Sequence, residues 1–171
     1  NPTGSVYSKE ELAGLAEVIK RHEGMYVLAD EIYEHINYIG RHESIAQFPG
    51  MKERSIIVNG VSKAYAMTGW RIGFIAAPEW IVKGCNKLQG QYTSGPCSVS
   101  QKAAEAAYTM SQDCVETMRQ AFERRRDLIV ELAKQIPGLE VNKPEGAFYL
   151  FPKCSSFYGK TDGTRTINNS T

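Results

Sequence analysis

Three side chains of different chemistry stand next to predicted strands: a carboxylate, an amine and a guanidinium. Asp30 follows the apolar run 26–29, Lys63 follows the run 55–58, and Arg71 begins a third run that extends to residue 77. Ligands of open α/β sheets bind beyond the carboxyl ends of the strands, so these groups could meet in one crevice. Each residue alone has an ordinary structural explanation, as a cap, a solvated lysine or an ion-paired arginine. The combination is what predicts a site.

Alternating helices and strands must position these groups. Ser8 and Glu11 form a capping-box pattern, which predicts a helix that Gly24 ends. The runs 26–29 and 55–58 are continuously apolar, which is typical of buried parallel strands. Three-and-four spacing of apolar residues predicts the remaining helices, and a final aromatic strand follows them. These helices lie at about residues 79–88, 98–108 and 114–135, and the strand at 147–151.

This order of elements predicts an α/β fold with a mostly parallel sheet. A break near residue 112 predicts two units. Residues 1–112 hold the sheet, and residues 113–171 hold a joining helix and the start of a second domain.

Composition excludes several classes of function. The chain has 20 basic and 19 acidic residues, so its net charge of +1 provides no field that would attract nucleic acid or an acidic membrane surface. No apolar run reaches the length of a membrane span. The basic run 124–126 is interpreted as the solvated side of a helix. We therefore expect neither a nucleic-acid partner nor a membrane partner.

The cysteines and histidines do not predict a metal site. The four cysteines are scattered and form no C-x-x-C pair, and the three histidines share no metal-ligand spacing. A disulfide framework is not expected either. Free thiols of this kind fit a reducing compartment, so we expect a cytoplasmic protein.

Four motifs resemble those of one enzyme family. The stretch 62–73, S-K-A-Y-A-M-T-G-W-R-I-G, closely resembles the motif of class I aminotransferases of fold type I that carries the lysine for pyridoxal 5′-phosphate (PLP). Residues 1–4, N-P-T-G, and 29–33, A-D-E-I-Y, resemble two further motifs of that family, in the family's order and separation. Residues 146–149, G-A-F-Y, resemble a strand of its small domain. The resemblance covers essentially the whole chain and is strongest to bacterial aspartate aminotransferases.

The resemblance implies a role for five residues. Lys63 would hold PLP as an imine and act as a general base once the substrate displaces it. Asp30 would pair with the pyridinium nitrogen, which makes the ring a stronger electron sink. Asn1 and Tyr33 would hydrogen-bond the phenolic oxygen of the ring, and Arg71 would hold the phosphate.

The same resemblance implies the fold and the reaction. The fold would be the α/β PLP-dependent transferase type I, represented by the C-terminal half of the large domain, the linking helix and the start of the small domain. The reaction would move an amino group from an amino acid to a 2-oxo acid, with aspartate and 2-oxoglutarate as the leading pair, in a homodimer. Two alternatives remain: another fold type I PLP enzyme, such as a β-lyase or a different aminotransferase, and the PLP-binding effector domain of a transcription regulator.

The chain is expected to be an internal fragment that is inactive alone. Relatives carry a phosphate loop and a ring-stacking aromatic before N-P-T-G, and an arginine for the substrate carboxylate near the end of the small domain. Arg165 is the only candidate for that arginine in the tail, and its surroundings do not match the family's R-x-S-Y pattern.

Overall fold

The computed structural model describes residues 1–161 and 163–169, which contain four α-helices and a three-stranded sheet. The helices are α1 (Lys9–Lys20), α2 (Glu79–Tyr92), α3 (Ser98–Thr109) and α4 (Asp113–Lys134). The strands are β1 (Val27–Asp30), β2 (Ser55–Gly60) and β3 (Gly73–Ala76). The elements alternate as predicted, and the chain is α/β.

Helix α1 begins where the sequence predicts. The backbone N–H of Glu11 donates to the Ser8 hydroxyl at 3.1 Å, and the backbone N–H of Ser8 donates to the Glu11 carboxylate at 2.8 Å. This reciprocal pair satisfies two N–H groups that the first turn would otherwise leave without partners. Leu12, Ala16 and Ile19 form the buried face of the helix.

The sheet is mixed rather than wholly parallel. Its order is β1-β2-β3, with β1 parallel to β2 and β3 antiparallel to β2. The expectation of a mostly parallel sheet therefore holds for the first pair of strands only. Strand β3 also begins at Gly73, later than expected, because Arg71 has a left-handed backbone (φ 51°) that cannot continue a strand.

One face of β1 packs on the core. Val27 and Ala29 lie against a buried cluster whose members come from α1 and from the segment between β1 and β2: Leu12, Ala16, Ile19, Ile45 and Met51. On the opposite face Leu28 is 71% exposed. Within the described residues, the strand thus alternates between covered and uncovered positions.

The helices after the sheet leave large apolar side chains exposed. Helix α2 has no buried residue, and Trp80, Leu88 and Tyr92 are among its exposed positions. Within the described residues, none of the helices is long and apolar enough to cross a membrane.

The basic run in α4 is not uniformly solvated, which corrects the interpretation made from the sequence. Arg124 and Arg125 are exposed, but Arg126 is buried. Its guanidinium lies 4.3 Å from the ring centroid of Tyr38 and donates to the carbonyl of Pro144 at 3.1 Å. Arg126 therefore attaches α4 to the segment that follows it.

That segment, residues 144–149, is a docked loop rather than a strand. Gly146 forms a single bridge with Asn37, and Ala147 then takes a left-handed conformation (φ 58°), which ends any strand geometry. The loop belongs to the second predicted unit yet bonds to the first through main-chain hydrogen bonds. The division near residue 112 stays a prediction.

Candidate active site

The sheet brings Asp30, Lys63 and Arg71 to one end of its strands, where β1 and β2 end and β3 begins. Asp30 is the last residue of β1, and Lys63 lies three residues beyond the end of β2. Because β3 runs antiparallel and Gly73 pairs with Gly60, Arg71 also lies at this end, just before β3. The three ionisable groups predicted to converge are thus placed on the same side of the sheet.

The loop that carries Lys63 is anchored on both sides. Val61 is 1% exposed and Ala64 is 3% exposed, so the main chain around the lysine is fixed in the protein interior. The N–H of Ala66 donates to the carbonyl of Lys63 at 3.2 Å and closes the turn. The lysine side chain is half-buried.

The amine of Lys63 lies next to two aromatic rings. Its Nζ is 5.7 Å from the ring centroid of Tyr33 and 5.5 Å from that of Phe148. An ammonium group within about 6 Å of a ring face is attracted by the ring quadrupole. Phe148 in turn stacks on Phe122 of α4, with centroids 5.1 Å apart.

Tyr33 contacts Tyr149 as well as Phe148, and the sequence does not predict the contact with Tyr149. Its hydroxyl lies 2.6 Å from the hydroxyl of Tyr149, and the two rings meet edge to face. Burial is the largest cause that raises the pKa of Tyr33 well above its usual value, followed by the hydrogen bond with Tyr149 and by charge, including that of Asp30. Tyr33 therefore keeps its proton at neutral pH.

Glycines bring residues 144–149 to this position. Gly4 has φ +72°, and a Cβ there would lie 2.5 Å from the Cβ of Pro144. The carbonyl of Gly4 accepts the N–H groups of Glu145 and Gly146 at 2.8 and 2.9 Å. The last residue of N-P-T-G is thus a glycine because the two loops touch there.

Three of the predicted site residues line one cavity. Asn1, Asp30 and Tyr33 border a space of about 430 Å³ next to β1, together with Gly146 and Ala147. Lys63 and Arg71 are not among its lining residues, so the structure gathers the five predicted residues only in part. Asp30 is exposed, and its carboxylate accepts the N–H of Ile32 at 3.2 Å.

Arg71 stands in an unusual local conformation. It follows the short 3-10 helix Thr68–Trp70, and its guanidinium donates to the carbonyl of Thr68 at 2.8 Å. A left-handed backbone at a residue other than glycine costs roughly 1 kcal/mol or more. The exposed guanidinium has further N–H donors in its planar fork, which is the geometry that suits an anion.

A hydrogen-bonded cluster is centred on Glu31, the residue after Asp30. The carboxylate of Glu31, 10% exposed, accepts from the Ser44 hydroxyl at 2.6 Å and contacts the His42 ring at 3.0 Å. One ligand atom each from Glu31, Glu34 and His42 lie within 4.8 Å of one another, a grouping that sequence spacing did not predict. Glu31 is already bonded to His42 and Ser44, so hydrogen bonding accounts for the cluster.

Comparison with known proteins shows the family to which the chain is similar. The family described as Aminotransferase class I and II matches residues 1–161. The chain is 50% identical to a bifunctional aspartate aminotransferase and glutamate/aspartate-prephenate aminotransferase of Petunia hybrida, covering 99% of this chain and 36% of that protein. It is 48% identical to an aspartate aminotransferase of Geobacillus stearothermophilus, covering 98% and 43%. The chain thus spans about two fifths of the length of these curated relatives.

Solved structures agree in fold. The aspartate aminotransferase of Rhizobium meliloti superposes with a TM-score of 0.93 at 45% identity, covering 98% of this chain and 43% of that one. A mutant aspartate aminotransferase of Thermus thermophilus superposes with a TM-score of 0.85 at 41% identity, covering 92% and 41%. The fold is therefore that of PLP-dependent transferases of type I, as the motifs imply. The chain belongs to the class I and II aminotransferase family.

Proposed function

We propose that the natural protein containing this chain is a PLP-dependent aminotransferase that moves an amino group from aspartate to a 2-oxo acid such as 2-oxoglutarate. The observation that carries the proposal is the position of the Lys63 amine, 5.7 and 5.5 Å from the ring centroids of Tyr33 and Phe148, at the sheet edge shared with Asp30. Family membership and the names of the relatives support the reaction and the donor.

The chemistry of the five side chains fits PLP group by group. An amine suits the aldehyde of the cofactor, a carboxylate suits its ring nitrogen, and a guanidinium suits its phosphate. A neutral phenol and an amide suit its phenolic oxygen. These groups are supplied by Lys63, Asp30, Arg71, Tyr33 and Asn1.

PLP, when bound, supplies an electron sink that stabilises negative charge on the α-carbon of an amino acid. Lys63 is assigned two tasks: to hold the cofactor covalently, and to move a proton to and from that α-carbon. A general base must come within hydrogen-bonding reach of its proton, and the anchored loop between Val61 and Ala64 restricts where the lysine can lie. The rings of Tyr33 and Phe148 lie next to the amine and restrict its position further.

Asp30 and Tyr33 act by charge and hydrogen bonding. The carboxylate of Asp30 favours a protonated ring nitrogen, because an adjacent opposite charge stabilises the ionised form. The raised pKa of Tyr33 keeps its phenol neutral and able to donate a hydrogen bond. The amide of Asn1 borders the same cavity and is assigned to the same oxygen.

We assign the phosphate to Arg71, with the exposed guanidinium as the supporting observation. Its fork of N–H donors can contact two oxygens at once.

Assembly and compartment are part of the proposal. The oligomeric state rests on the resemblance alone, which implies that the loop carrying the exposed residues Thr93 and Ser94 approaches the partner subunit's site. We therefore expect a homodimer, without nucleic acid or membrane among its partners. Three exposed free cysteines, Cys85, Cys97 and Cys114, support a reducing, cytoplasmic compartment.

Covalent labelling tests the assignment of Lys63. The complete natural protein is mixed with PLP, reduced with borohydride and digested, and the labelled peptide is identified by mass spectrometry. We expect the label on Lys63 and its loss in Lys63→Ala. A label on Lys83 or Lys87, both exposed on α2, would contradict the assignment.

Steady-state assays test the reaction. Aspartate is offered with 2-oxoglutarate, and then with prephenate, because relatives from Petunia hybrida and Rickettsia bellii carry prephenate in their names. We expect turnover with 2-oxoglutarate that Lys63→Ala abolishes. Elimination or decarboxylation of the amino acid without amino transfer would instead favour another PLP reaction.

A further inference from the structure

The contact between Tyr33 and Tyr149 joins parts of the chain that are 116 residues apart. Their hydroxyl oxygens are separated by 2.6 Å, and either one can be the donor. The ring of Tyr149 also packs on Phe148, with centroids 5.1 Å apart, so the pair borders the Lys63 amine.

The position of Tyr149 is fixed without any ligand. The N–H of Ala147 donates to the carbonyl of Ile36 at 2.8 Å, and the hydroxyl of Tyr38 donates to the carbonyl of Ala147. Ala147 is 3% exposed, so the turn before Tyr149 is buried. The hydroxyl of Tyr149 is therefore held at Tyr33 by main-chain contacts of its own segment.

The number of protons on the two hydroxyl groups determines which of them donates when a ligand is bound. A phenol has one proton to donate and two lone pairs to accept with. If Tyr33 donates outward to an anionic oxygen, its only proton is used there, and the bond to Tyr149 requires Tyr149 to donate. The two hydroxyls then form a chain in which each bond polarises and strengthens the next.

We propose that Tyr149 is a positioning residue that acts through Tyr33, as the second member of a hydrogen-bond chain ending on an anionic oxygen of the bound ligand. The proposal rests on the proposed function, which places the phenolic oxygen of PLP next to Tyr33. Tyr149 itself does not touch the ligand in this scheme.

Without a ligand the contact can run in the opposite direction, because either hydroxyl can be the donor. The hydrogen bond with Tyr149 is one cause of the raised pKa of Tyr33, after burial. A hydrogen bond raises the pKa of a phenol when that phenol is the donor, because the neutral form is then favoured. A fall in that pKa on removal of the Tyr149 hydroxyl would mean that Tyr33 donates to Tyr149 when no anion is present, and that an anion at Tyr33 reverses the chain.

The first test uses the complete natural protein without PLP. Tyrosine labelled with 13C at Cζ is incorporated, and the pKa of Tyr33 is followed by NMR in wild type and in Tyr149→Phe, which keeps the ring and removes one oxygen. We expect the pKa of Tyr33 to fall partway towards its usual value, because burial remains. Tyr26→Phe is the control, since the Tyr26 ring packs on Trp80 away from this pair, and it should leave the pKa of Tyr33 unchanged.

The second test uses the protein loaded with PLP and follows its visible absorbance against pH. A donor to an anionic oxygen favours the anionic form, so the loss of Tyr149 should raise the pH midpoint of the absorbance change. A shift of roughly half a unit is expected, which is about threefold in the equilibrium constant. In a Tyr33→Phe background, Tyr149→Phe should cause no further shift.

Two results would overturn the proposal, and each is distinct from failure of the proposed function. An unchanged pKa of Tyr33 in Tyr149→Phe would show that the two hydroxyls are not paired, whether or not PLP binds. An undiminished shift of the midpoint in the Tyr33→Phe background would show that Tyr149 does not act through Tyr33. The absence of any PLP absorbance in wild type would refute the proposed function instead.

Discussion

Replacing Arg126 by methionine should destabilise the protein much more than the same replacement of Arg124, two residues earlier in α4. The Arg126 side chain is 8% exposed, whereas Arg124 is exposed. Methionine retains the apolar part of the stem but has no N–H donor and no charge. The comparison therefore isolates the buried guanidinium from the general effect of removing a positive charge from this helix.

The contacts of Arg126 set the size of the effect. Loss of its bond to the buried carbonyl of Pro144 leaves that acceptor without its donor, which costs about 1–3 kcal/mol. Loss of the stacking on Tyr38, at 4.3 Å, costs about 1–2 kcal/mol in a partly desolvated place. The ion pairs with Glu123 and Asp127 add little because solvent screens them. We expect a decrease of about 2–5 kcal/mol in the free energy of unfolding.

Urea unfolding followed by circular dichroism measures this difference. Arg124→Met should lie within about 0.5 kcal/mol of wild type, as is usual for surface substitutions. Hydrogen exchange adds a local measurement: the N–H of Ala147, bonded to Ile36, should exchange faster in Arg126→Met. The reasoning fails if the two arginine variants unfold at the same urea concentration.

Three further outcomes are expected. Asp30→Ala should slow amino transfer by roughly a hundredfold while PLP stays covalently bound, and near-normal turnover would contradict the role of the carboxylate. The hydrogen bond with Glu31 raises the pKa of His42 above 6.5. The contribution of protonated His42 to the stability of the fold is therefore complete below about pH 6.5 and is lost as the pH rises through the raised pKa. Urea unfolding should show that His42→Asn costs more stability at pH 6 than at pH 9. Residues 1–171 expressed alone should show no amino transfer from aspartate near 1 per second, a rate typical of enzymes, and such a rate would refute the expectation.

Local signals predicted the helices well. The start of α1 follows from Ser8 and Glu11, and α4 ends where Pro137 and Gly138 forbid its continuation. These features depend on residues close together in the chain, so the sequence is sufficient to locate them. The buried arginine of α4 was not predictable in this way, because its partners Tyr38 and Pro144 lie far away in sequence.

The aromatic surroundings of Lys63 were missed for the same reason. The aromatic composition of G-A-F-Y predicts a strand, and no spacing relates Tyr149 to Tyr33. The turn at Ala147 has a positive φ, which an alanine in the sequence does not predict. The neighbouring Gly146 was the one available signal, since a Cβ there would lie 2.8 Å from Val6.

The direction of β3 decides whether the predicted site can exist. Arg71 precedes its strand, whereas Asp30 ends one strand and Lys63 follows another. In an all-parallel sheet the start of a strand lies at the opposite edge from the other strands' carboxyl ends, which would separate Arg71 from Lys63 by about the length of β2, roughly 20 Å at 3.3 Å per residue. The connection 61–72 instead turns back and pairs Gly73 with Gly60, so Arg71 returns to the edge that Lys63 occupies. The contact is close enough that a Cβ on Gly60 would lie 2.9 Å from the Cα of Gly73, which requires glycine at Gly60. The antiparallel pairing is therefore the feature that allows the proposed site to contain both the amine and the guanidinium.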